Sequence, residues 1–546
     1  MLADDQDWVG RTADDVIAEA ARRATGKPIV CASGISPSGP IHLGNLREIM
    51  VPHLVADEIR ARGIDCEHLL SWDDFDRLRK VPAGVDSSFA EHIGRPLSRI
   101  PDPWGEYPSW AERFKAPFRA ALAELGVAIR EIPQSEMYAS GAYTDHVLTA
   151  IARRQDIGAA LARYQTKKKQ VTTEAAVATA GETAAGETAA GEDSGAADRD
   201  DSAGAAEYFP YRIYCRNCGR DTTAITQYDA DTTAAAYICS SCGNNDTVVL
   251  REQPEAGKLV WKVDWPMRWA YEDVLFEAGG NDHSSPGSSG SAPTPADALR
   301  ILEAPVLRWV YARRKPSQSI TVDFGAEMGR LYDEWDALNR RVAERQAERW
   351  EAVVLCRAAH TTSAGELPRP NRVFPFRILA SVSDVAANDD TQILRILNQV
   401  NSDDAEFTLA DTEPRLSRAK AWVVEHVPPE DRTRVRTEPD LQLLASMDEE
   451  DRAGLRLFVD GLAANWSLDG LTALVYGVPK VLLGLPKETT PTPDLKAAQR
   501  HWFILLYRLL ITAETGPRLP TLLFSIGKES LICLLDPAVA ATRSGD

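Results

Sequence analysis

Nowhere in the 546 residues is there a run of 18 apolar residues, so an ordinary membrane-spanning helix is excluded. Basic charge is also short, with 61 Lys and Arg against 80 Asp and Glu and a net charge of −19. That balance argues against a surface that is basic all round. Much of the excess is local, however: residues 174–207 hold nine acids and one Arg. The rest of the surface can still carry a basic groove. Cysteine is scarce, at eight residues, and Met1-Leu-Ala-Asp-Asp-Gln-Asp7 has neither the basic region nor the apolar core of a secretory signal. A disulfide framework is therefore not expected, and the chain reads as cytoplasmic. Apolar content of 44% and charged content of 26% suit a globular protein. The length predicts about three or four domains.

Residues 171–206 are almost all Ala, Gly, Thr, Glu, Asp and Ser, with Ala-Gly-Glu repeated at 180–182, 185–187 and 190–192. So little apolar surface cannot offset chain entropy, which predicts a disordered acidic insert spanning 167–207. Before it, helices are expected over 12–24 (capped by Thr12), 109–126 and 145–164. After about residue 295 helical patterns dominate, among them 296–312, 328–347, 393–400, 450–463, 495–511 and 527–535. Basic residues there (Arg308, Arg313, Arg314, Lys315, Arg340, Arg341) either read an RNA loop or are simply solvated.

Ile29 to Ala32 reads as a buried strand and is followed by Ser33-Gly-Ile-Ser36-Pro-Ser-Gly-Pro40-Ile-His42-Leu-Gly44-Asn45. An apolar-periodic segment, Leu46, Ile49, Met50, Leu54, Val55 and Ile59, comes next. Strand, Gly/Ser loop and helix in that order present backbone N–H groups and a positive helix end to a phosphate. Gly44 has no Cβ, so a flat base could approach the backbone there. Pro52 should kink or break the helix. A second run, Cys66 to Trp72, enters Asp73-Asp-Phe-Asp76, and the strand–helix–strand order predicts a doubly wound parallel sheet. Ligands of such sheets lie beyond the carboxyl ends of the strands. Asp73, Asp74 and Asp76 at that edge suit a cationic ligand, or form a solvated acidic loop.

Cys215, Cys218, Cys239 and Cys242 form C-x2-C-x20-C-x2-C, with Gly219 and Gly243 after the pairs. Two such knuckles predict tetrahedral S4 coordination of a structural zinc, with no open coordination position. Cys31, Cys66, Cys356 and Cys533 look like buried small hydrophobes. Lys258 to Trp269 is expected as a strand carrying Trp261, Trp265 and Trp269, with Tyr271 beyond, a candidate pocket wall. Gly279-Gly-Asn-Asp282-His283 is a turn able to accept from ribose hydroxyls.

Taken together, Ala32–Asn45, Ser71-Trp-Asp-Asp-Phe-Asp-Arg-Leu-Arg-Lys-Val-Pro82, Lys262-Val-Asp-Trp-Pro-Met-Arg-Trp269, Gly279–His283 and Arg308-Trp-Val-Tyr-Ala-Arg-Arg-Lys-Pro316 resemble the class I lysyl-tRNA synthetases. His42-Leu-Gly-Asn45 stands at the family's "HIGH" signature. The resemblance implies a Rossmann-like α/β catalytic domain (1–166 and 257–325), interrupted by the acidic insert and by a zinc-ribbon module (208–256). An all-α anticodon-binding region (326–546) follows. It implies a monomeric lysine–tRNA ligase that joins lysine to tRNA(Lys) with ATP and Mg2+. His42 and Asn45 would act on the ATP phosphates, with Ser36, Pro40, Gly44, Asp282 and His283 completing the ATP site. Asp73, Asp74, Asp76 and Trp269 would hold lysine.

Two departures stand out. Asp102-Pro-Trp-Gly-Glu106 keeps only Asp102 of a possible second metal site, so no second zinc is expected. Gly287-Ser-Ser-Gly-Ser-Ala-Pro293 runs straight into Thr294-Pro-Ala-Asp-Ala-Leu299, where the family carries a strand, a helix and a Met-Ser-Ser-Ser-Lys loop. This gap leaves an alternative, a catalytically defective paralogue that binds tRNA or a lysine-like ligand. A purely structural zinc and helical interaction protein is the third reading.

Overall fold

The computed structural model describes residues 7–24, 26–163, 208–278, 292–318, 320, 322–325, 327–400, 407–486, 488–490 and 492–536. The chain divides into two compact units. One comprises Met1–Ala298, Arg308–Ile320 and Cys356–Glu366, and the other comprises Leu299–Leu307, Thr321–Leu355 and Leu367–Asp546. The acidic insert lies outside the described residues.

The first unit opens with α1 (Trp8–Arg23), β1 (Ile29–Ile35), a 3-10 turn (Leu43–Asn45), α2 (Leu46–Ala61) and β2 (Cys66–Trp72). Then come α3 (Trp110–Glu124), β3 (Arg130–Pro133), α4 (Gln134–Ala139), α5 (Thr144–Ala152) and α6 (154–163). The cysteine module carries β4 (Tyr211–Ile213), β5 (Thr223–Asp229), β6 (Ala234–Cys239), β7 (Asn245–Val249) and β8 (Gly257–Leu259). α7 (Trp261–Tyr271) and β9 (Phe276–Glu277) return to the main sheet. That sheet has the order β3-β2-β1-β9, and every pair is parallel, with Ile29 opposite Cys66 and Ile35 opposite Trp72. β1 and β2 are covered on both faces and read accordingly as near-continuous apolar runs. β5, β6 and β7 form a separate antiparallel sheet.

Beyond β9 the described chain is mainly helical. Its helices are α8 (Pro295–Ile301), α9 (Ala304–Ala312), α10 (Glu327–Ala343), α11 (Arg349–Ala359), α12 (Phe376–Val385), α13 (Asp390–Val400), α14 (Arg415–His426) and α15 (Leu441–Ser446), followed by α16 (Glu449–Gly461), α17 (Leu468–Leu482), α18 (Pro493–Ile511), α19 (Leu519–Ile526) and α20 (Lys528–Leu535). Phe458, Leu471, Leu506, Leu509 and Leu523 lie in the core of the second unit. Its buried Arg415 donates to Glu303 at 2.6 Å and to Asp336 at 2.9 Å.

Several expectations need correcting. α1 begins at Trp8, where Asp7 accepts from Gly10 N–H, so Thr12 lies inside the helix rather than capping it. The 296–312 segment is two helices, α8 and α9. Residues 261–271 form a helix, not a strand; only Gly257–Leu259 pairs in a sheet. Trp261, Trp265 and Trp269 are four apart, so they pack side by side along one helix face, the last two rings edge to face. Cys31 and Cys66 are buried, but Cys356 and Cys533 are exposed. Around Cys533, Leu531, Ile532, Leu534 and Leu535 take the inward face of α20 and leave the thiol outside. Arg308 is neither an RNA-facing nor a solvated residue: it is buried and donates to the carbonyls of Leu125 and Arg357. Finally, Pro52 sits inside an unbroken α2.

Candidate active site

The carboxyl edge of the parallel sheet gathers three features. The first is the loop from Ser36 to Ile41 and the 3-10 turn that runs into α2. Ser36, Pro40 and Gly44 are exposed, while His42 and Asn45 are half-buried. A Cβ on Gly44 would meet nothing within 4 Å, so the chain itself leaves this space open. His42 Nδ1 lies 3.3 Å from the carbonyl of Ala292, and Leu43 N–H donates to Pro293 O at 2.7 Å. The chain thus leaves the sheet at Glu277 and is back at the turn by Ala292. Asp282 and His283 lie between, outside the described residues.

The second feature is the acidic turn after β2. It is no solvated loop, since Asp73 and Asp74 are buried. Asp73 N–H donates to Ile35 O at 2.9 Å, which fixes the turn beside the end of β1. Arg268 from α7 pairs with both Asp73 and Asp264, and Lys258 pairs with Asp76 and, at 3.2 Å, with Asp264. Tyr138 donates to Asp264 at 2.5 Å. Three carboxylates therefore face two cations. Burial pushes the Asp73 carboxyl up despite Arg268, whose charge Asp264 shares. For Asp264 burial acts in the same direction, but Arg268 and Lys258 outweigh it and the group lies below its ordinary value. Asp74 is different. Lys115 Nζ lies 2.7 Å from its Oδ2, which also accepts from Ser135 Oγ at 2.8 Å, and Ser135 N–H donates to its Oδ1 at 2.8 Å. Its oxygens are engaged within the protein.

Trp265 and Trp269 were already candidate pocket-wall residues, but their contacts at this edge, and Glu48, escaped sequence reasoning. A Cβ on Gly34 would lie 2.4 Å from the Trp265 ring, so only glycine lets that indole lie on the end of β1. The Trp269 indole N–H is donated to Glu277. Glu48, in the first turn of α2, is pushed up to about 6 by burial and by the charge of Asp73. The signal for Gly34 and Trp265 was present only as the four-residue Trp spacing. Glu48 gave no signal.

The third feature is the cysteine cluster. The four sulfurs lie within 4.8 Å of one another, with Cys215–Cys242 and Cys218–Cys239 each 3.6 Å apart. Tetrahedral zinc thiolates have sulfurs separated by about 3.8 Å, so the donor set fits. Gly219 and Gly243 have φ of +75° and +71°, and their N–H groups close the knuckles onto Cys215 O and Cys239 O. Burial opposes the Cys239 thiolate, but the Thr222 hydroxyl and the N–H groups of Cys242 and Ser241 bring it down to about 6. The module shares a core with Phe75 and Tyr138. Tyr214 donates to Phe75 O at 2.6 Å and Arg77 to Asp221 at 2.8 Å, so the module supports the acidic turn. Asp102 accepts the N–H groups of Trp104, Glu106 and Tyr107 and organises its own loop.

Comparison with known proteins decides the family. Residues 6–292 and 287–361 match the family described as tRNA synthetases class I (K). The chain belongs to this family. As a class I (K) synthetase it is 51% identical to the lysine–tRNA ligase of Streptomyces coelicolor over 97% of this chain and 98% of that one. It is 28% identical to the lysine–tRNA ligase of Thermococcus kodakarensis over 96% and 98%, and 26% identical to that of Pyrococcus horikoshii over 96% and 98%. The Streptomyces alignment runs over 579 residues, longer than the synthetase's own 546, so a few dozen positions of the relative face no residue here. The two family segments overlap at 287–292, the stretch at which the sequence departs from the family's pattern. Nothing observed favours a silent paralogue of the synthetase. Among the described residues no helix is long and apolar enough to cross a membrane.

Proposed function

We propose that this chain is a lysine–tRNA ligase that activates lysine with ATP and transfers it to tRNA(Lys). The observation that carries this reading is the meeting, at one sheet edge, of the His42–Asn45 turn and a carboxylate-rich cluster. One suits a polyphosphate, the other the ammonium groups of lysine. The lysine carboxylate attacks the α-phosphate and pyrophosphate leaves, giving lysyl-adenylate. A ribose hydroxyl at the tRNA 3′ end then attacks the activated carbonyl and AMP leaves. The protein's part is alignment and charge stabilisation.

In this reading His42 and Asn45 contact the phosphates, and Ser36, Pro40 and Gly44 border the nucleotide. Asp282 and His283 hold the ribose, and ATP arrives as its Mg2+ complex. Asp73 and Asp76, with Asp264 behind them, present the negative face to lysine, and Trp269 belongs to the pocket wall. Asp74 serves as a positioning residue, because Lys115 and Ser135 occupy it. Cys215, Cys218, Cys239 and Cys242 hold a structural zinc that keeps the module beneath the acidic turn folded. The Rossmann-like halves are 1–166 and 257–325, the zinc-ribbon module is 208–256, and the helical region 326–546 reads the anticodon. The enzyme works in the cytoplasm as a single chain.

The test is lysine-dependent ATP–pyrophosphate exchange, followed by charging of tRNA(Lys). Exchange and charging with lysine, and with no other amino acid, are expected. Intact tRNA binding without any exchange would sink the ligase reading.

A further inference from the structure

Proline inside a helix normally removes one hydrogen bond and distorts the turn before it. In α2 the bond removed by Pro52 is the one that would end on the carbonyl of Glu48, four residues earlier. That carbonyl has another donor. Ser33, near the end of β1, donates its hydroxyl to Glu48 O at 2.8 Å. The Ser33 hydroxyl has one proton and uses it there. His68 Nε2, 2.8 Å from the same hydroxyl oxygen, must therefore be the protonated nitrogen and donate to Ser33. His68 is buried on β2, directly opposite Cys31, and its Nδ1 has no partner among the described residues. The arrangement is a buried relay from β2, through β1, to the first turn of α2.

We propose that Ser33 is a positioning residue for the nucleotide: through the Glu48 carbonyl it holds the first turn of α2, and with it His42 to Asn45, against the end of β1. Glu48 lies three residues after Asn45, so a tilt of this turn moves the phosphate-facing groups directly. Pro52 creates the vacant acceptor and Ser33 fills it from a neighbouring strand, which converts an internal helix bond into a tie between helix and sheet. The role rests on reading the His42–Asn45 turn as the ATP phosphate site.

The relay predicts a rescue that a merely structural residue would not show. Pro52→Ala restores a backbone N–H at position 52 that can donate to Glu48 O, so the hydroxyl becomes dispensable. Full-length wild type, Ser33→Ala, Ser33→Thr, Pro52→Ala and Ser33→Ala/Pro52→Ala are compared by ATP titration calorimetry and by exchange kinetics. Ser33→Ala is expected to weaken ATP binding and raise KM for ATP about tenfold, equivalent to about 1.4 kcal/mol. KM for lysine should change less than about twofold on the same scale. Ser33→Thr keeps the hydroxyl and should stay close to wild type, as should Pro52→Ala. The double variant should recover the ATP affinity of Pro52→Ala. Ser33→Ala with wild-type ATP affinity, or a double variant as impaired as Ser33→Ala, overturns the proposal. If Ser33→Ala does not fold, the two Pro52→Ala backgrounds decide: a further tenfold loss on removing the hydroxyl there overturns it. A wild-type protein that binds no ATP overturns the ligase reading and this role together, and is distinct from every outcome that overturns the role alone.

Discussion

Replacing Arg268 by Met is the sharpest probe of the acidic cluster. Arg268 is 1% exposed and pairs with Asp73 and Asp264, which are 7% and 0% exposed. It also donates to Ser71 Oγ at 3.2 Å. Methionine fills most of the volume; Asp264 keeps Lys258 at 3.2 Å, a cation it shares with Asp76, while Asp73 loses its ion-pair partner. Breaking a buried pair in this way costs roughly 3–5 kcal/mol. At about 2 °C per kcal/mol for a unit of this size, the unfolding midpoint should fall by roughly 6–10 °C. The pH dependence has a definite sign. In wild type Asp264 lies below its ordinary value, so its contribution is present above about pH 4 and lost as pH falls through the folded value. Without Arg268 burial prevails, and Asp264 joins Asp73 above the ordinary range. A raised carboxyl stabilises at low pH and loses that contribution as pH rises. The deficit of the variant should therefore be larger at pH 8 than at pH 5. Differential scanning calorimetry on zinc-loaded protein measures both. A variant within about 2 °C of wild type, or a deficit that grows on acidification, would refute the assignment of Arg268 as the main counter-charge.

Metal analysis of the purified chain should give about one zinc, and Cys239→Ser should lose it and lower the unfolding midpoint; full zinc content in that variant would contradict the four-sulfur site. His42→Ala should slow lysine-dependent exchange roughly 10²-fold while leaving the unfolding midpoint near wild type; unchanged exchange removes His42 from the phosphate site. Lys115→Met should destabilise the fold by roughly 3 kcal/mol, because Asp74 loses its buried partner, with KM for lysine unchanged. A selective rise in that KM would place Asp74 in contact with substrate after all.

Local signals were legible wherever the chain itself carries the pattern. The strand, loop and helix from Ile29 to Ala61 lie where their composition puts them, and the cysteine spacing delivers four converging sulfurs. Residues 258–271 show how a pattern can serve two structures. Trp261, Val263, Trp265, Met267 and Trp269 alternate like a strand, yet they also make two helical stripes, 261/265/269 and 263/267. Packing chose the helix: Val263 and Met267 lie against the core with Phe75 and Tyr138, and the tryptophans pack against one another on the other stripe. The acidic turn was legible as a place but not as a chemistry. Its cations come from Lys115, Lys258 and Arg268, and nothing near residue 73 announces them. Pro52 does not break α2, and the donor that reaches the carbonyl it leaves vacant lies on a strand, at Ser33, where local sequence does not show it.

The acidic turn has a history in time as well as a place in space. Asp76 and Lys258 are 182 residues apart, Asp73 and Arg268 are 195 apart, and the Phe75 carbonyl waits 139 residues for Tyr214. At about 5–20 residues per second, a ribosome needs roughly 10–40 s to make the stretch between Asp73 and Arg268. Lys258 is missing until 182 residues after Asp76 and Arg268 until 195 after Asp73, so burying the turn before then would be uphill. The first half of the sheet can form early, but its ligand edge must stay open to water until the second half emerges. This sheet edge is thus among the last parts of the unit to close, and a chain stopped before residue 268 would have the His42–Asn45 turn beside an acidic turn that still lacks Arg268.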